Sequence, residues 1–340
     1  MKIKNFLFFL FLTSILIVFV IAGCSTDDEE ESDSTEKITL KMGGISPPES
    51  MSTKGGEKFA ELIEEKTNEE IEVEFYPAEQ LGSGNDQMDN LVSGSQDMMA
   101  VTLDFLADLE KDYNVFSMPY AFDNLEHFET FLNSEENKEI EEKLREENGI
   151  KVISNDWFRA PRVYESTESI EKPEDIEGMK FRVPDIPVFV KHAEQLGASP
   201  TPVSFGETYS AFQQNLVDIH DPTLETIHSS KFYEVAPYII ETNHAFSSMY
   251  TLIRDDVYQD LNEEQQQAID EAADEAGKYY NDLVDKELDE EREEMEEEGA
   301  EFVKPDREAF KEKVLPMGEE LEKEGTWSEG LLKSIRDMKP

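Results

Sequence analysis

The sequence predicts an α/β protein made of two units, each a mostly parallel sheet with helices on both faces. Three observations predict it. Apolar residues alternate with polar ones at Ile38, Leu40 and Met42 and again at Ile71, Val73 and Phe75, which reads as strands. Stretches with apolar residues at helical spacing separate those strands. The same order of elements starts again at Ile150. Strand–helix–strand order favours parallel pairing, because a parallel neighbour needs a crossover long enough to hold a helix. With 340 residues the chain can form one large or two medium domains.

In the first unit Gly43-Gly44 end the opening strand and Ser46-Pro47-Pro48 make a loop. Phe59, Leu62 and Ile63 fall at helical spacing, and Tyr76-Pro77 closes the second strand. The turn Leu81-Gly82-Ser83-Gly84 leads into a helix with Met88, Leu91 and Val92. The apolar run from Met98 to Leu103 fits a buried strand. In the second unit Ile150, Val152 and Ile153 form a strand ending near Trp157, and the short strand at 179–183 stops at Pro184. Phe189, Val190 and Ala193 lie on one helix, Phe212 and Leu216 on another, and Val217-Asp218-Ile219 opens a strand. Residues 262–299 read as one or two long Glu-rich helices. A free coiled coil is the rival reading there; irregular heptads and many Ala positions favour a helix packed on the domains. No long internal repeat is present.

Charge excludes some partners. Against 31 Lys and Arg stand 79 Asp and Glu, a formal net charge of −48 at pH 7. Such a surface repels nucleic acid phosphates and anionic lipid heads. Its self-repulsion is largely screened in brine, where at about 1 M salt the Debye length is only ~3 Å. That points to a saline or alkaline setting; an acidic surface kept for solubility is the alternative.

The N-terminal stretch reads as a processing segment. Lys2 and Lys4 precede an apolar run, which ends in Ile21-Ala22-Gly23-Cys24. Cys24 is the only cysteine of the chain, so no disulfide can form within it. Small residues directly before it match the bacterial lipobox, whose thiol receives a diacylglyceryl group. The expectation is a signal peptide over residues 1–23 and lipidation of Cys24, with an acidic tether over 24–37. An uncleaved membrane span or ordinary secretory cleavage are the alternatives. Each buried CH₂ of the acyl chains contributes ~0.8 kcal/mol to anchoring. The expected location is the extracytoplasmic face of the cell membrane.

Catalytic signatures are missing from the sequence. Gly82-Ser83-Gly84 lacks the Lys and Ser/Thr of a phosphate loop, and no nucleophile elbow appears. Asp218, His220 and Asp221 form the most metal-like cluster, but on a strand residues 218 and 220 share a face that 221 leaves. No metal, cofactor or catalytic residue is expected. His127, His192, His228 and His244 are dispersed and read as packing or surface groups.

An ordered set of motifs decides between the remaining readings. Tyr76-Pro77-Ala78-Glu79-Gln80-Leu81-Gly82 and Met118-Pro119-Tyr120-Ala121-Phe122 come first, then Gly178-Met179-Lys180-Phe181-Arg182-Val183-Pro184. Leu196-Gly197-Ala198-Ser199-Pro200-Thr201-Pro202 and Phe205-Gly206-Glu207-Thr208-Tyr209 follow, with Lys231-Phe232-Tyr233-Glu234-Val235 and Thr242-Asn243-His244 beyond. From about Ile38 to near the C-terminus the chain resembles the solute-binding subunits of tripartite ATP-independent periplasmic (TRAP) transporters, the DctP family. The resemblance implies a two-lobed, periplasmic-binding-protein-like fold of type II character, with a ligand cleft between the lobes and long C-terminal helices. It also implies discontinuous lobes: 38–159 with about 248–287 in lobe I, and about 160–247 with about 288–335 in lobe II.

The resemblance further implies an organic acid as ligand and the TRAP membrane subunits as partners. Arg182 falls at the family's carboxylate-binding arginine. A planar guanidinium grips a carboxylate by two parallel charge-assisted hydrogen bonds, whichever protein carries it. Arg162 falls at a second family arginine, with Arg159 a nearby competitor, and Phe205 at an aromatic that walls the cleft. Asp221 and Thr102 complete the expected ligand-binding set. One departure stands out: many relatives carry Asn, a ligand contact, where this chain has Pro222, which cannot donate a side-chain hydrogen bond. The expected function is a non-enzymatic receptor for a secondary transporter. A lipoprotein hydrolase or a ligand-sensing subunit of a signalling system are the alternatives.

Overall fold

The computed structural model of the chain describes residues 37–338. Cys24, the signal segment and nearly all of the expected tether lie outside the described residues. Eleven strands form two sheets. The first contains β1 (Ile38–Gly44), β2 (Ile71–Tyr76), β3 (Met98–Thr102), β4 (Ile150–Phe158) and β10 (Ser248–Arg254), in the order β2-β1-β3-β10-β4. The second contains β5 (Arg162–Ser166), β6 (Lys180–Val183), β7 (Ser199–Pro202), β8 (Ile219–His220), β9 (Tyr238–Ala245) and β11 (Glu301–Val303), in the order β11-β9-β5-β8-β6-β7.

Each sheet is parallel except for one strand. β10 runs antiparallel to β3 and β4, and β5 runs antiparallel to β8 and β9. Both odd strands have the same cause: the chain changes sheets just before them. Residues 159–161 carry it from β4 to β5, and residues 246–247 carry it back from β9 to β10. A third passage is the helix Glu263–Glu297, which starts on a capping box at Asn262. Its Ile269, Ala272, Ala276 and Tyr280 pack in the core of the first sheet, and Met295 packs in a cluster of the second. The helix is therefore packed on the protein, and its small Ala residues let it lie close.

The core explains the strand patterns. All five residues of β3 are buried. Met99 and Val101 face a cluster with Tyr113, Phe116, Phe128 and Tyr250, while Met98 and Ala100 face one with Phe59, Ile63, Trp157 and Tyr280. A strand covered on both faces needs no polar alternation, hence the continuous apolar run.

Several sequence expectations change in detail. Gly43 and Gly44 are the last two residues of β1, and they pair with Met99 and Ala100 of β3. A Cβ on Gly43 would lie 2.0 Å from Oε1 of Gln87, so the glycine admits that amide against the strand. Leu216 lies beyond the helix Thr208–Gln213 and is 52% exposed. The strands β9 and β10 and the helices Leu125–Leu132 and Glu135–Asn148 were not foreseen. The C-terminal tail was expected in lobe II, yet Trp327, Leu331, Leu332 and Ile335 pack into the core beneath the first sheet. Asp112 ties it there by accepting from the Ser328 backbone N–H at 2.6 Å and its hydroxyl at 2.9 Å. Among the described residues no helix is long and apolar enough to cross a membrane.

Candidate functional site

The strand ends converge. Thr102 closes β3, Arg182 is the third residue of β6, and His220 closes β8 ahead of Asp221. Because β5 runs the opposite way, its first residue, Arg162, comes to the same edge of the second sheet. Ligands of open α/β sheets bind beyond the carboxyl ends of strands, where loops part and backbone N–H groups point outward.

Thr102, Arg162, Arg182, Phe205 and Asp221 all line one cavity, together with Arg159 and Pro222, with about 620 Å³ of empty space including its open mouth. Ile45, Phe105 and Met249 from the first half supply apolar wall. Phe205 is half-buried, meets Phe232 edge-on at 5.9 Å, and also borders the two shallower recesses at the cavity mouth. Beside it Gly206 lets the chain approach Glu79 of the first half: a Cβ there would lie 2.3 Å from Oε2 of Glu79. Burial pushes the Glu79 carboxyl up from its ordinary value, against a hydrogen bond from the Gly206 backbone.

Three arginines face the cavity, and their commitments differ. Arg159 donates from Nε to Glu225 Oε1 at 3.0 Å, and from Nη2 to the hydroxyls of Thr223 at 2.7 Å and Thr226 at 2.5 Å. Arg162 donates to the Asp221 carbonyl at 2.7 Å, lies 3.6 Å from Asp221 Oδ1, and reaches Asp104 Oδ1 at 3.5 Å. Arg182 donates from Nε to the Val203 carbonyl at 3.0 Å and from Nη1 to Nε2 of His220 at 3.1 Å. Among the described residues no carboxylate lies within 4.0 Å of Arg182. Burial, with help from the nearby Arg162 charge, pulls its pKa down to about 10. It is still a cation at neutral pH, buried and without an ionic partner, and such a charge demands an anion.

Asp221 is held from behind. Oδ1 lies 3.2 Å from Nε2 of His244, and Oδ2 lies 3.7 Å from Nδ1 of His192. The far nitrogens are also fixed, His192 by the Tyr164 hydroxyl at 2.8 Å and His244 by the Thr242 hydroxyl at 2.7 Å. The imidazoles and Arg162 outweigh burial and hold the Asp221 carboxyl well below the usual range. His192, Asp221 and His244 bring ligating atoms within 4.8 Å of one another. Arg162 already offsets the Asp221 charge, so the cluster is explained as a buried carboxylate steadied by two imidazoles.

The structure corrects one sequence reading here. Asp218 sits at the other end of β8, accepting from the Lys180 backbone at 2.8 Å. His192 and His244 are not dispersed packing groups but partners of Asp221. Sequence reasoning missed Asp104, His220 and Thr226 as lining residues. A lone acid directly after a buried strand was the one available signal for Asp104; His220 stood out only as a neighbour of Asp218 and Asp221, and Thr226 gave none.

Comparisons with known proteins agree with this fold. The DctP family, described as bacterial extracellular solute-binding protein family 7, matches residues 42–324. A solute-binding protein of Roseobacter denitrificans is 32% identical over 276 residues, covering 81% of this chain and 84% of the relative. A solved TRAP periplasmic solute-binding protein from the same organism, with bound L-galactonate, has a TM-score of 0.81 and 30% identity, covering 89% of this chain and 98% of that one. Another from Fusobacterium nucleatum, with bound sn-glycerol-3-phosphate, has a TM-score of 0.83 and 25% identity over 88% of this chain and 96% of that one.

Proposed function

The chain belongs to the DctP family of bacterial extracellular solute-binding proteins, and on that premise we propose that it captures a small organic acid through Arg182 and hands it to TRAP membrane subunits. The observation that carries the site is the guanidinium of Arg182, buried and without a carboxylate partner among the described residues, at the wall of the cavity. Arg159 and Arg162 already face carboxylates, so one cationic group is left for the ligand. One spare charge suits a monoanion such as the L-galactonate bound by the Roseobacter protein better than a doubly charged phosphate. Phe205 and Met249 offer apolar faces to the carbon chain, and Thr102 and Thr226 offer hydroxyls. Pro222 leaves the far end without the side-chain amide that many relatives use.

The reading is of a receptor, not a catalyst. Its two lobes, 38–159 with about 248–287 and about 160–247 with much of the remainder, close on the ligand by bending at residues 159–161 and 246–247 and along the long helix. Support comes from the passages between the sheets, which flank the cavity residues Arg159, Arg162 and Met249. Acylation of Cys24 holds the receptor at the outer face of the membrane, and the acidic tether lets it reach the transporter. The sole cysteine at the end of an apolar run supports that anchor.

Mass spectrometry of small molecules released from denatured protein, followed by calorimetry with the acid found and with L-galactonate, tests the proposal. A carboxylate that binds stoichiometrically is expected. A neutral or cationic ligand bound in the cavity would sink it.

A further inference from the structure

Glu165 is the fourth of the five residues of β5, fully buried, and among the described residues neither of its carboxyl oxygens has a hydrogen-bond partner. Buried polar groups are nearly always paired, so an orphaned carboxyl calls for an explanation. In the antiparallel register Glu165 stands opposite His220 of β8, and its Oε2 is 3.9 Å from His220 Nδ1. On the far side of that imidazole is Arg182 of β6, with Nη1 3.1 Å from His220 Nε2. A guanidinium can only donate, so Nε2 accepts and the ring proton sits on Nδ1, the side of Glu165. Burial and the Arg182 charge hold the His220 imidazole well below its ordinary value, which keeps it neutral and able to accept. Three adjacent strands thus carry a line from a buried carboxyl through an imidazole to the cavity cation.

We propose that His220 and Glu165 are positioning residues of the anion site, His220 fixing the Arg182 guanidinium from behind and Glu165 holding a proton whose retention is linked to anion binding. The inference rests on the reading of Arg182 as the anion-binding cation. Without ligand, the Arg182 cation behind His220 makes ionisation of Glu165 less costly. With ligand, two anions share one guanidinium, and the carboxyl that has neither water nor hydrogen bonds keeps its proton. Burial alone already pushes the Glu165 carboxyl well above the usual carboxylate range. By linkage, anion affinity then falls as pH rises through the range where Glu165 loses its proton.

Other charged groups near the line are committed elsewhere. Asp221 is held ionised by His244 and His192, Asp104 faces Arg162, and Ile239 of β9 is the neighbour of Glu165 on its other side. Glu79 at the mouth also feels Arg182 and is removed in a control, and Arg182 itself, pulled down to about 10, sets the upper pH limit of the test.

Calorimetry of L-galactonate binding to the full folded chain across about pH 5.5–8.5, below the range in which Arg182 loses its charge, in buffers of differing ionisation enthalpy, tests the inference. Wild type should lose affinity with rising pH, by up to about tenfold per pH unit for one linked proton, and should take up protons on binding. Glu165→Gln should flatten the profile to within about threefold and abolish the uptake, while Glu79→Gln keeps the slope. Should Glu165→Gln fail to fold, the proton count of wild type decides alone. L-Galactonate binding without pH dependence or proton uptake would overturn the linkage and leave the carboxylate reading standing. A folded protein that binds no sugar acid at any pH would overturn both.

Discussion

Oδ1 of Asp104 lies 3.5 Å from Nη2 of Arg162, an ion pair between the loop after β3 and the first residue of β5. Asp104 follows a strand of the first sheet, Arg162 opens one of the second, and both line the cavity. The pair therefore ties the two halves together at the cavity, and it sets a carboxylate close to the position the proposed anionic ligand would take.

Asp104→Asn should tighten binding of an acidic ligand. Removing one neighbouring negative charge at an effective dielectric near 20 is worth about 1–2 kcal/mol, on the order of tenfold in affinity. Calorimetry on the folded variant reads the change. Weaker binding would mean that the pair's role in holding the halves closed exceeds its repulsion of the ligand.

Arg182→Ala should cost about 2–5 kcal/mol of binding, since it strands a buried carboxylate. That is roughly a 30- to 4,000-fold loss. Arg182→Lys should also lose much affinity, because an ammonium cannot make the planar two-bond grip. Circular dichroism should confirm folding, and an Arg182→Ala protein within threefold of wild type would remove the site assignment.

Gly277→Val should destabilise the fold without touching the cavity. A Cβ at 277 would lie 2.8 Å from Cδ1 of Trp157, which stacks on Tyr280 with ring centroids 5.8 Å apart. Overpacking of this kind costs about 1–3 kcal/mol, a fall of several degrees in melting temperature. An unchanged melting curve would show that the indole has room to move.

His228 should give a pH-dependent share of stability. Its Nδ1 is 3.1 Å from Glu291 and its Nε2 is 2.9 Å from Glu294, both on the long helix, and Tyr233 stacks beside it. The Glu291 hydrogen bond, the largest cause, raises the His228 pKa despite partial burial. A raised imidazole pKa gives stability that is present below the unfolded value and lost as pH rises through the folded one. His228→Gln should therefore lower the melting temperature more at about pH 6 than at about pH 9. Equal losses at both would refute the charge argument.

Cys24→Ala should release the protein from membranes of the native host if Cys24 carries the anchor. Fractionation after a high-salt wash separates the outcomes, since salt strips charge-held proteins but not acylated ones. A variant still in the membrane fraction would disprove the lipid anchor.

The sequence made much of the fold and part of the site legible. Periodicity placed β1 to β4 and the long helix because local pattern and final environment agree there. Gly43-Gly44 read as a strand end, where β1 does stop, but their close contact with Gln87 was not legible. Periodicity was silent at β9 and β10, whose pairing partners lie about 60 to 155 residues away. Arg182, Arg162 and Phe205 came from motif order, whereas Asp104 did not, and His220 stood out only as a metal-like neighbour of Asp218 and Asp221.

By itself the amino-acid sequence determined the class of fold, the acidic surface, the single cysteine and the family to which the chain belongs. These depend on composition, on local period and on ordered motifs, all of which can be read along the chain. Tertiary structure alone decided which charges are spent. Arg159, Arg162 and Arg182 are chemically alike in the sequence, yet folding gives the first Glu225, the second Asp104 and Asp221, and the third an imidazole and a carbonyl. Coulomb energy depends on distances of a few ångströms and on burial, and both arise only when strands far apart in sequence come to one edge.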